Sequence, residues 1–399
     1  MSTAVRERLL SLDIFRGLTV AAMLLVNNPG SWSALFPPLG HAPWHGWTPT
    51  DLIFPFFLFI VGITTHLSLS ARRARGDSDA AIVRQILRRG AIIFLLGFLF
   101  MGLFPFYQWG PIEGNPDPSV LDRIVHRLEH VRIMGVLARI AVVYVIAALL
   151  TLRTNLTQQV IIVAGLLLGY WFAMTVLPVP GEGTIGALLL HDKSRNLAAY
   201  LDRAILGTNH IWGGSVTYDP EGILSTVPAI GTAILGVIAG RWIGMTTRPL
   251  IERIAGLFAA GALVMMLGSM WNWVFPINKN LWTSSYVLFT AGMAAVVLAT
   301  IMWIVEHYNV RWWTKPWVIF GVNPIVAFVG SGVMARLIYT LWKVDYEGKS
   351  QSVQSVIHQV LFLSWLPPRV ASLAFALMFV LFWLGVLTVM YRRNIILKV

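Results

Sequence analysis

The chain has 399 residues, of which 57% are hydrophobic and only 12% are charged. A soluble domain usually carries about 25% charged residues, so a water-soluble globule of this composition could not cover its surface with polar groups. Lys and Arg exceed Asp and Glu by 12, but they lie between long apolar runs, so membrane topology explains the excess better than nucleic-acid binding. The absence of cysteine excludes disulfides and thiol nucleophiles.

In chain order, ten apolar segments reach the length of about 20 residues that a membrane-spanning helix needs. We predict spans at residues 9–28, 52–69, 90–107, 133–152, 156–177, 226–244, 250–271, 282–305, 317–342 and 370–391. Two loop segments, 197–205 and 353–361, have the i, i+3, i+4 spacing of amphipathic helices. No internal repeat is present, so the fold class predicted is all-α, with one membrane domain of about ten helices over residues 1–399.

The positive-inside rule orients this bundle. With the N-terminus in the cytoplasm, Lys and Arg are more numerous on the cytoplasmic side, although the outer loops are longer. The first apolar run is interrupted by Asp13 and Arg16, so we expect a retained span rather than a cleaved signal peptide. An even number of spans places both termini in the cytoplasm. We expect a multi-pass protein of the cytoplasmic membrane if the source is bacterial.

Ionisable residues inside spans cost at least about 2.5–3.5 kcal/mol each on insertion scales, so they usually have partners or functions. Asp13 and Arg16 lie on one face of the first helix. They form either a structural ion pair or a site at which Arg16 binds an anionic ligand from the cytoplasm.

The segment between the first two spans is rich in polar residues and in Pro and Gly, which interrupt regular structure. It contains His41, His45 and Asp51. Histidine suits proton transfer near neutral pH, and the carboxylate of Asp51 could fix the tautomer of a histidine. A purely interfacial loop, anchored by tryptophans, is the alternative. A metal site is less favoured, because His41 and His45 lack an obvious third and fourth ligand.

The usual signatures of soluble enzymes are absent from the sequence, so these residues alone leave an integral membrane enzyme and a transporter open. Several motifs, however, occur together in a fixed order. They are SLDIFRG at 11–17, VN at 26–27, HAPWHGWTPTDLIFPF at 41–56, VRI at 131–133, YDPEGIL at 218–224, PINKNLWTSSYV at 276–287 and GVNP at 321–324. This set resembles the heparan-α-glucosaminide N-acetyltransferase family and its bacterial relatives, over residues 9 to about 390.

The resemblance implies a membrane enzyme that moves an acetyl group from cytoplasmic acetyl-CoA to a sugar amine on the far side of the membrane. By this resemblance, His41 matches the catalytic histidine of the family and Asn27 matches an asparagine of the same active centre. His45 stands where the animal enzyme has an asparagine, so no role is transferred to it. We expect no counterpart of the large lumenal domain of the animal enzyme, and on that expectation the acceptor need not be heparan.

We therefore expect His41 to act as a general base on an amino sugar or a sugar hydroxyl, oriented by Asp51, with Asn27 donating a hydrogen bond to the oxyanion. A covalent acetyl-His41 intermediate is the other route. The expected acceptor-site residues are Glu221, Asn278, Lys279, Trp282, Ser285 and Tyr286. The expected ligands of the CoA phosphates are Arg8, Arg16, Arg88 and Arg89.

The expected partners are acetyl-CoA, an extracytoplasmic glycan and the lipid bilayer, with a homodimer implied weakly by the family and with no metal and no nucleic acid. The rival hypothesis is a proton-coupled secondary transporter of a sugar-like or anionic solute. In that case His41, Asp51 and Glu221 would form a proton relay. A non-catalytic scaffold explains the polar motifs at membrane depth less well.

Overall fold

The computed structural model describes residues 9–108 and 110–397. Arg8, one of the predicted CoA ligands, lies outside the described residues. The described part contains the helices α1 Leu10–Asn27, α2 Ile53–Ala74, α3 Asp79–Leu96, α4 Val120–Glu129, α5 Val136–Arg153, α6 Leu156–Thr175, α7 Leu197–Leu206, α8 Ile223–Ile243, α9 Leu250–Trp271, α10 Ser284–Met302, α11 Lys315–Val322, α12 Pro324–Arg336, α13 Val353–His358 and α14 Pro368–Arg392. A short antiparallel hairpin, β1 Lys343–Tyr346 and β2 Lys349–Ser352, precedes α13 and pairs Val344 with Gln351.

Ten helical stretches of the described chain are long and apolar enough to cross a membrane. The chain is therefore a polytopic all-α membrane protein, as its composition predicts. The amphipathic helices predicted at 197–205 and 353–361 are also present, as α7 and α13. The hairpin between α12 and α13 was not predicted, because its strands are polar and only four residues long.

Two spans differ most from their predicted bounds. The third begins at Asp79, eleven residues before the predicted start at 90, because long arginine side chains such as Arg88 can extend from an apolar helix towards water. The segment predicted as one span at 317–342 is broken at Asn323, between α11 and α12. Pro324 follows, and proline disfavours helical backbone at the residue before it.

The described residues form two compact units. The first contains the described residues up to Gly40, together with Trp242–Leu263 and the part of the chain that starts at Gly292. The second contains His41–Arg241 and Val264–Ala291. The expectation of one catalytic domain over 1–399 stays a prediction.

In the first unit, α1 and α11 approach each other through glycines. A Cβ atom on Gly17 would lie 1.7 Å from the carbonyl oxygen of Trp317, and one on Gly321 would lie 2.1 Å from that of Asp13. Arg16 closes this contact, since its Nε donates to the carbonyl of Gly321 at 2.7 Å and its guanidinium pairs with Asp13. The geometry is that of the structural ion pair, and a contact of Arg16 with CoA stays a prediction.

In the second unit, α2 packs against α8 in the same way. A Cβ atom on Gly62 would lie 1.9 Å from the carbonyl oxygen of Ala233, and one on Gly236 would lie 2.1 Å from that of Phe59. Small residues allow this close packing, which stabilises helix pairs in membranes. The residues that precede α2, α5 and α8 meet at one end, and the carboxyl-terminal ends of these helices meet at the other.

Candidate active site

Seven ionisable residues gather at the amino-terminal ends of α2, α5, α8 and α10, all within the second unit. We call this group the amino-terminal cluster. Its members are His41, Asp51, Arg132, Arg139, Asp219, Glu221 and Lys279. They come from segments that are distant in sequence, and the packing of the helices brings them together.

The open side of the cluster is formed by His41, whose side chain is 48% exposed. Its Nδ1 lies 2.7 Å from Oδ1 of Asp51. An ionised carboxylate can only accept, so Nδ1 carries the proton and Nε2 carries the lone pair. Asp51 therefore fixes the tautomer in which Nε2 can take up a proton.

Asp51 is held by the turn in which it lies. Its side chain is 1% exposed, and Oδ2 accepts from the backbone N–H of Ala42 and of Thr48, both at 3.0 Å. The hydroxyl of Thr48 donates to the same oxygen at 3.1 Å, and the hydroxyl of Tyr286 donates to the backbone carbonyl of Asp51. These bonds prevent the carboxylate from rotating, so the direction of the imidazole is fixed as well.

Lys279 is the second neighbour of His41. Its Nζ lies 3.1 Å from Nε2 and 3.2 Å from Nδ1 of that ring, and 3.9 Å from Oδ1 of Asp51. A donor placed along the lone pair of Nε2 would be much farther from Nδ1 than from Nε2. The near-equal distances therefore place the ammonium beside the ring and leave the lone pair of Nε2 free. Burial lowers the pKa of Lys279, although the carboxylates of Glu221 and Asp51 oppose this shift.

Behind this pair, Arg132 joins two carboxylates. Its Nε donates to Oδ2 of Asp219 at 2.8 Å, and its terminal NH₂ contacts both Asp219 and Glu221. Burial alone would lower the pKa of Arg132, but the two carboxylates outweigh burial and hold this pKa above its ordinary value. Likewise, burial alone would raise the pKa of Glu221, but the surrounding cations, Arg132 above all, hold it below its ordinary value. Both groups are therefore charged at neutral pH.

The turn that carries Asp219 and Glu221 is shaped by Asp202 of α7. Its two carboxylate oxygens accept from the backbone N–H groups of Ile223, at 2.9 Å, and of Asp219, at 3.2 Å. A Cβ atom on Gly222 would lie 2.1 Å from this carboxylate, so only glycine fits here. Burial raises the pKa of Asp202 to about 6.

The floor of the cluster, by which we mean the buried side chains packed beneath it, comes from α10 and the loop before it. Trp282 is fully buried, donates from Nε1 to the hydroxyl of Thr232 at 3.1 Å, and lies 5.1 Å from the guanidinium of Arg139. Ser285 is also buried and donates to the carbonyl of Phe275. Trp282, Ser285 and Tyr286 therefore have internal partners that support the site from below. Their contact with an acceptor stays a prediction.

A second histidine, His45, lies beside this floor. The amide nitrogen of Asn278 lies 3.3 Å from Nδ1 of His45, and the ring of His191 lies 4.7 Å from the ring of His45, edge to face. Burial and then the charge of His191 lower the pKa of His45. His45 is therefore neutral at neutral pH.

Three further predicted residues, Asn27, Arg88 and Arg89, are not members of the amino-terminal cluster. Asn27 is the exposed last residue of α1 in the first unit, and its hydrogen bond to an oxyanion stays a prediction. Arg88 is exposed on α3, and the guanidinium of Arg89 lies 5.0 Å from the centre of the Tyr144 ring. Their contact with CoA also stays a prediction.

Four of the residues described here had no role in the sequence-based prediction: Arg132, Asp219, Asp202 and Arg139. Arg132 and Asp219 fall inside the motifs 131–133 and 218–224, so the sequence drew attention to both residues. It gave no indication that they pair with each other across 87 residues. Asp202 lies outside every motif. It is recognisable only from its position beside Gly222.

Two proteins of known name are similar to this chain over most of its length. Heparan-alpha-glucosaminide N-acetyltransferase of Mus musculus is 29% identical over 405 residues, which cover 90% of this chain and 58% of the relative. The enzyme of the same name from Homo sapiens is 31% identical over 329 residues, which cover 71% of this chain and 47% of the relative. The chain is similar to heparan-alpha-glucosaminide N-acetyltransferases.

This similarity confirms the resemblance that the ordered motifs indicate. The chain spans about half the length of the curated relatives it matches. No family model matches the chain.

Proposed function

We propose that the chain is a transmembrane acyltransferase that moves an acetyl group from acetyl-CoA to an amino sugar or a sugar hydroxyl. The observation that carries the proposal is the His41–Asp51 pair, in which Asp51 fixes the tautomer and the lone pair of Nε2 is not directed at Lys279. Both relatives are named N-acetyltransferases, which supports the same reaction class.

In the proposed reaction, the amine or hydroxyl of the acceptor attacks the thioester carbonyl carbon while Nε2 of His41 takes its proton. A new C–N or C–O bond forms, and the carbonyl becomes an oxyanion. The oxyanion then collapses, the C–S bond breaks, and the CoA thiolate takes the proton from the imidazolium. The carboxylate of Asp51 stabilises that imidazolium in the intervening state. A positioned general base of this kind contributes about 10²–10⁴ to the rate.

Lys279 supplies the positive charge at this centre. Its ammonium lies within 3.2 Å of both ring nitrogens of His41, so it is close to any carbonyl that the acceptor attacks at Nε2. A cation placed there stabilises the developing oxyanion, which is the largest single term in many acyl transfers. In this proposal Lys279 acts on the reacting carbonyl, and Asn27 remains the second donor that the family resemblance implies.

The proposed reaction also requires a direction across the membrane, for which the distribution of Lys and Arg among the loops is the support. We propose that the amino-terminal cluster faces the extracytoplasmic side, with both termini in the cytoplasm, so that the base meets the acceptor outside. Under this proposal the donor reaches the thioester position from the cytoplasmic side. A homodimer remains a weaker expectation from the family alone.

The test is transfer of label from [acetyl-¹⁴C]acetyl-CoA to a panel of amino sugars by the purified full chain in liposomes. We expect labelled N-acetyl sugar from the wild type and from the control His130→Gln, which changes an exposed histidine immediately after α4. We expect none above background from His41→Gln. Equal product from His41→Gln would contradict the proposal. Passage of unmodified sugar without release of CoA would instead indicate the proton-coupled transporter, with His41, Asp51 and Glu221 as its relay.

A further inference from the structure

A second polar region lies at the carboxyl-terminal ends of α2, α5 and α8, the ends opposite to the amino-terminal cluster. It is an open cavity of about 440 Å³, which we call the basic cavity. Its polar lining includes His66, Ser70, Arg73, Arg153, Asn155 and Arg241.

The charges of the basic cavity are not balanced. Its lining includes three arginines and no Asp or Glu. Among residues 9–108 and 110–397, no carboxylate forms an ion pair with Arg153 or Arg241, and the buried Nε of Arg241 has no hydrogen-bond partner. Arg73 donates to the carbonyl of Leu152 at 2.7 Å, and its ion pair with Asp79 is 3.8 Å long between two exposed side chains.

Membrane topology alone does not explain this arrangement. The positive-inside rule accounts for arginines near the cytoplasmic ends of spans, but it does not require them to surround one cavity. Other arginines at or near the ends of spans are paired: Arg72 contacts Asp77 at 3.2 Å, and Arg248 contacts Glu252 at 3.6 Å. The basic cavity therefore contains two arginines, Arg153 and Arg241, for which the described chain supplies no ion-pair partner.

The chemistry of the lining indicates which anion fits. Guanidinium groups offer planar pairs of N–H donors that match the oxygens of a phosphate. The helix α6 begins at this cavity, immediately after its N-cap Asn155, and the amino-terminal end of a helix attracts anions. A volume of about 440 Å³ is well above the size of one phosphate and falls in the range of about 300–1,000 Å³ that small-molecule sites occupy.

We propose that the basic cavity binds the phosphate groups of a nucleotide, which the proposed function identifies as the nucleotide end of CoA. This identification rests on the proposed function. His66 follows Asp51 by fifteen residues on the continuous helical stretch Pro49–Ala74, a rise of about 22 Å. A donor that is bound here and reacts at His41 must therefore carry its acetyl group on a long arm. The phosphopantetheine arm of CoA has this form, and a small acyl phosphate does not.

The test is the binding of adenosine 3′,5′-bisphosphate, measured by calorimetry on the full chain in nanodiscs of zwitterionic lipid. This probe has the phosphates but no thioester, so its binding is independent of acetyl transfer. We expect the double variant Arg153→Gln/Arg241→Gln to weaken binding by about 10- to 100-fold. The control Arg248→Gln should bind as the wild type does. Arg153→Gln alone, at an exposed position, should weaken binding by about tenfold, which keeps the test valid if the double variant does not fold.

Equal binding by the wild type and by both cavity variants, or no binding by the wild type, would overturn the proposal. A second arm distinguishes the source of the phosphate. If the cavity variants bind the bisphosphate normally but lose retained phosphatidylglycerol in mixed nanodiscs, the nucleotide assignment is overturned in favour of a lipid headgroup. If bisphosphate binding depends on the cavity but no acetyl transfer is found, the proposed function fails while the phosphate site stands.

Discussion

The amino-terminal cluster and the basic cavity lie at opposite ends of α2, α5 and α8, and they differ in how their charges are balanced. In the cluster, Asp51 faces His41 and Lys279, and Arg132 lies between Asp219 and Glu221. In the cavity, arginines face one another without a carboxylate in the lining. A region that neutralises its own charges is preorganised and can orient groups that move protons. A region with surplus charge is instead suited to hold an ion from outside the chain.

The largest expected effect tests this difference through folding stability. Arg132→Met leaves two buried carboxylates without their cation, and breaking a buried ion pair in this way costs about 3–5 kcal/mol. We expect a large fall in the unfolding temperature, measured in detergent. Arg241→Met removes a surplus cation, so its unfolding temperature should equal or exceed that of the wild type. An equal loss of stability in the two variants would remove the distinction between the regions.

A second prediction concerns the orientation of the base. Asp51→Asn cannot stabilise an imidazolium and can present its amide N–H to Nδ1 of His41, which favours the wrong tautomer. We expect the rate of acetyl transfer to fall by about 10²–10⁴. Asp345→Asn, at an exposed aspartate on β1, is the matched control. A rate within twofold of the wild type for Asp51→Asn would show that the pair does not orient the base.

A third prediction follows from Asp202, whose pKa in the fold is about 6 against an ordinary value of 3.8. Because the folded pKa is raised, the contribution of Asp202 to stability is complete below pH about 3.8 and is lost as the pH rises through about 6. The loss amounts to about 3 kcal/mol at neutral pH, since one pKa unit corresponds to about 1.4 kcal/mol. Unfolding temperatures measured from pH 4 to pH 8 should fall in the wild type and should be flatter in Asp202→Asn. The same slope in both proteins would exclude this assignment.

The smallest expected effect separates the two histidines of the same loop. His45 is neutral and packs against His191, whereas His41 presents an open Nε2. We expect His45→Ala to retain acetyl transfer within about tenfold of the wild type, far less than the loss of about 10²–10⁴ that follows removal of a general base. Loss of all activity in His45→Ala with turnover in His41→Ala would show that the motif at 41–56 has been aligned in the wrong register.

The sequence alone predicts those features that depend on residues close together in the chain. Ten spans follow from apolar length alone, and the pairing of His41 with Asp51 follows from two polar residues in one short interrupted segment. The break before Pro324 was missed because the apolar run 317–342 continues through it, and the hydrophobic pattern does not record the backbone restriction that proline imposes.

Long-range pairings had no such signal. Lys279 contacts His41 across 238 residues. The hydrophobic periodicity of the sequence does not indicate which helix ends lie next to each other in the fold. The same limit applies to the basic cavity. Arg88 and Arg89 are adjacent in sequence and were predicted as phosphate ligands. Arg73, Arg153 and Arg241 lie on different helices, and the packing of α2, α5 and α8 determines that they face the same space.

The central claim is that chemistry occurs at His41 while the donor is held elsewhere. The most direct test measures the rate of acetyl transfer and the dissociation constant of acetyl-CoA in one preparation of His41→Ala. We predict a rate lower by about 10²–10⁴ with an unchanged dissociation constant, because the imidazole acts on the acceptor proton and not on the nucleotide. Transfer at the wild-type rate would contradict the claim, as would a loss of acetyl-CoA affinity that matches the loss of rate.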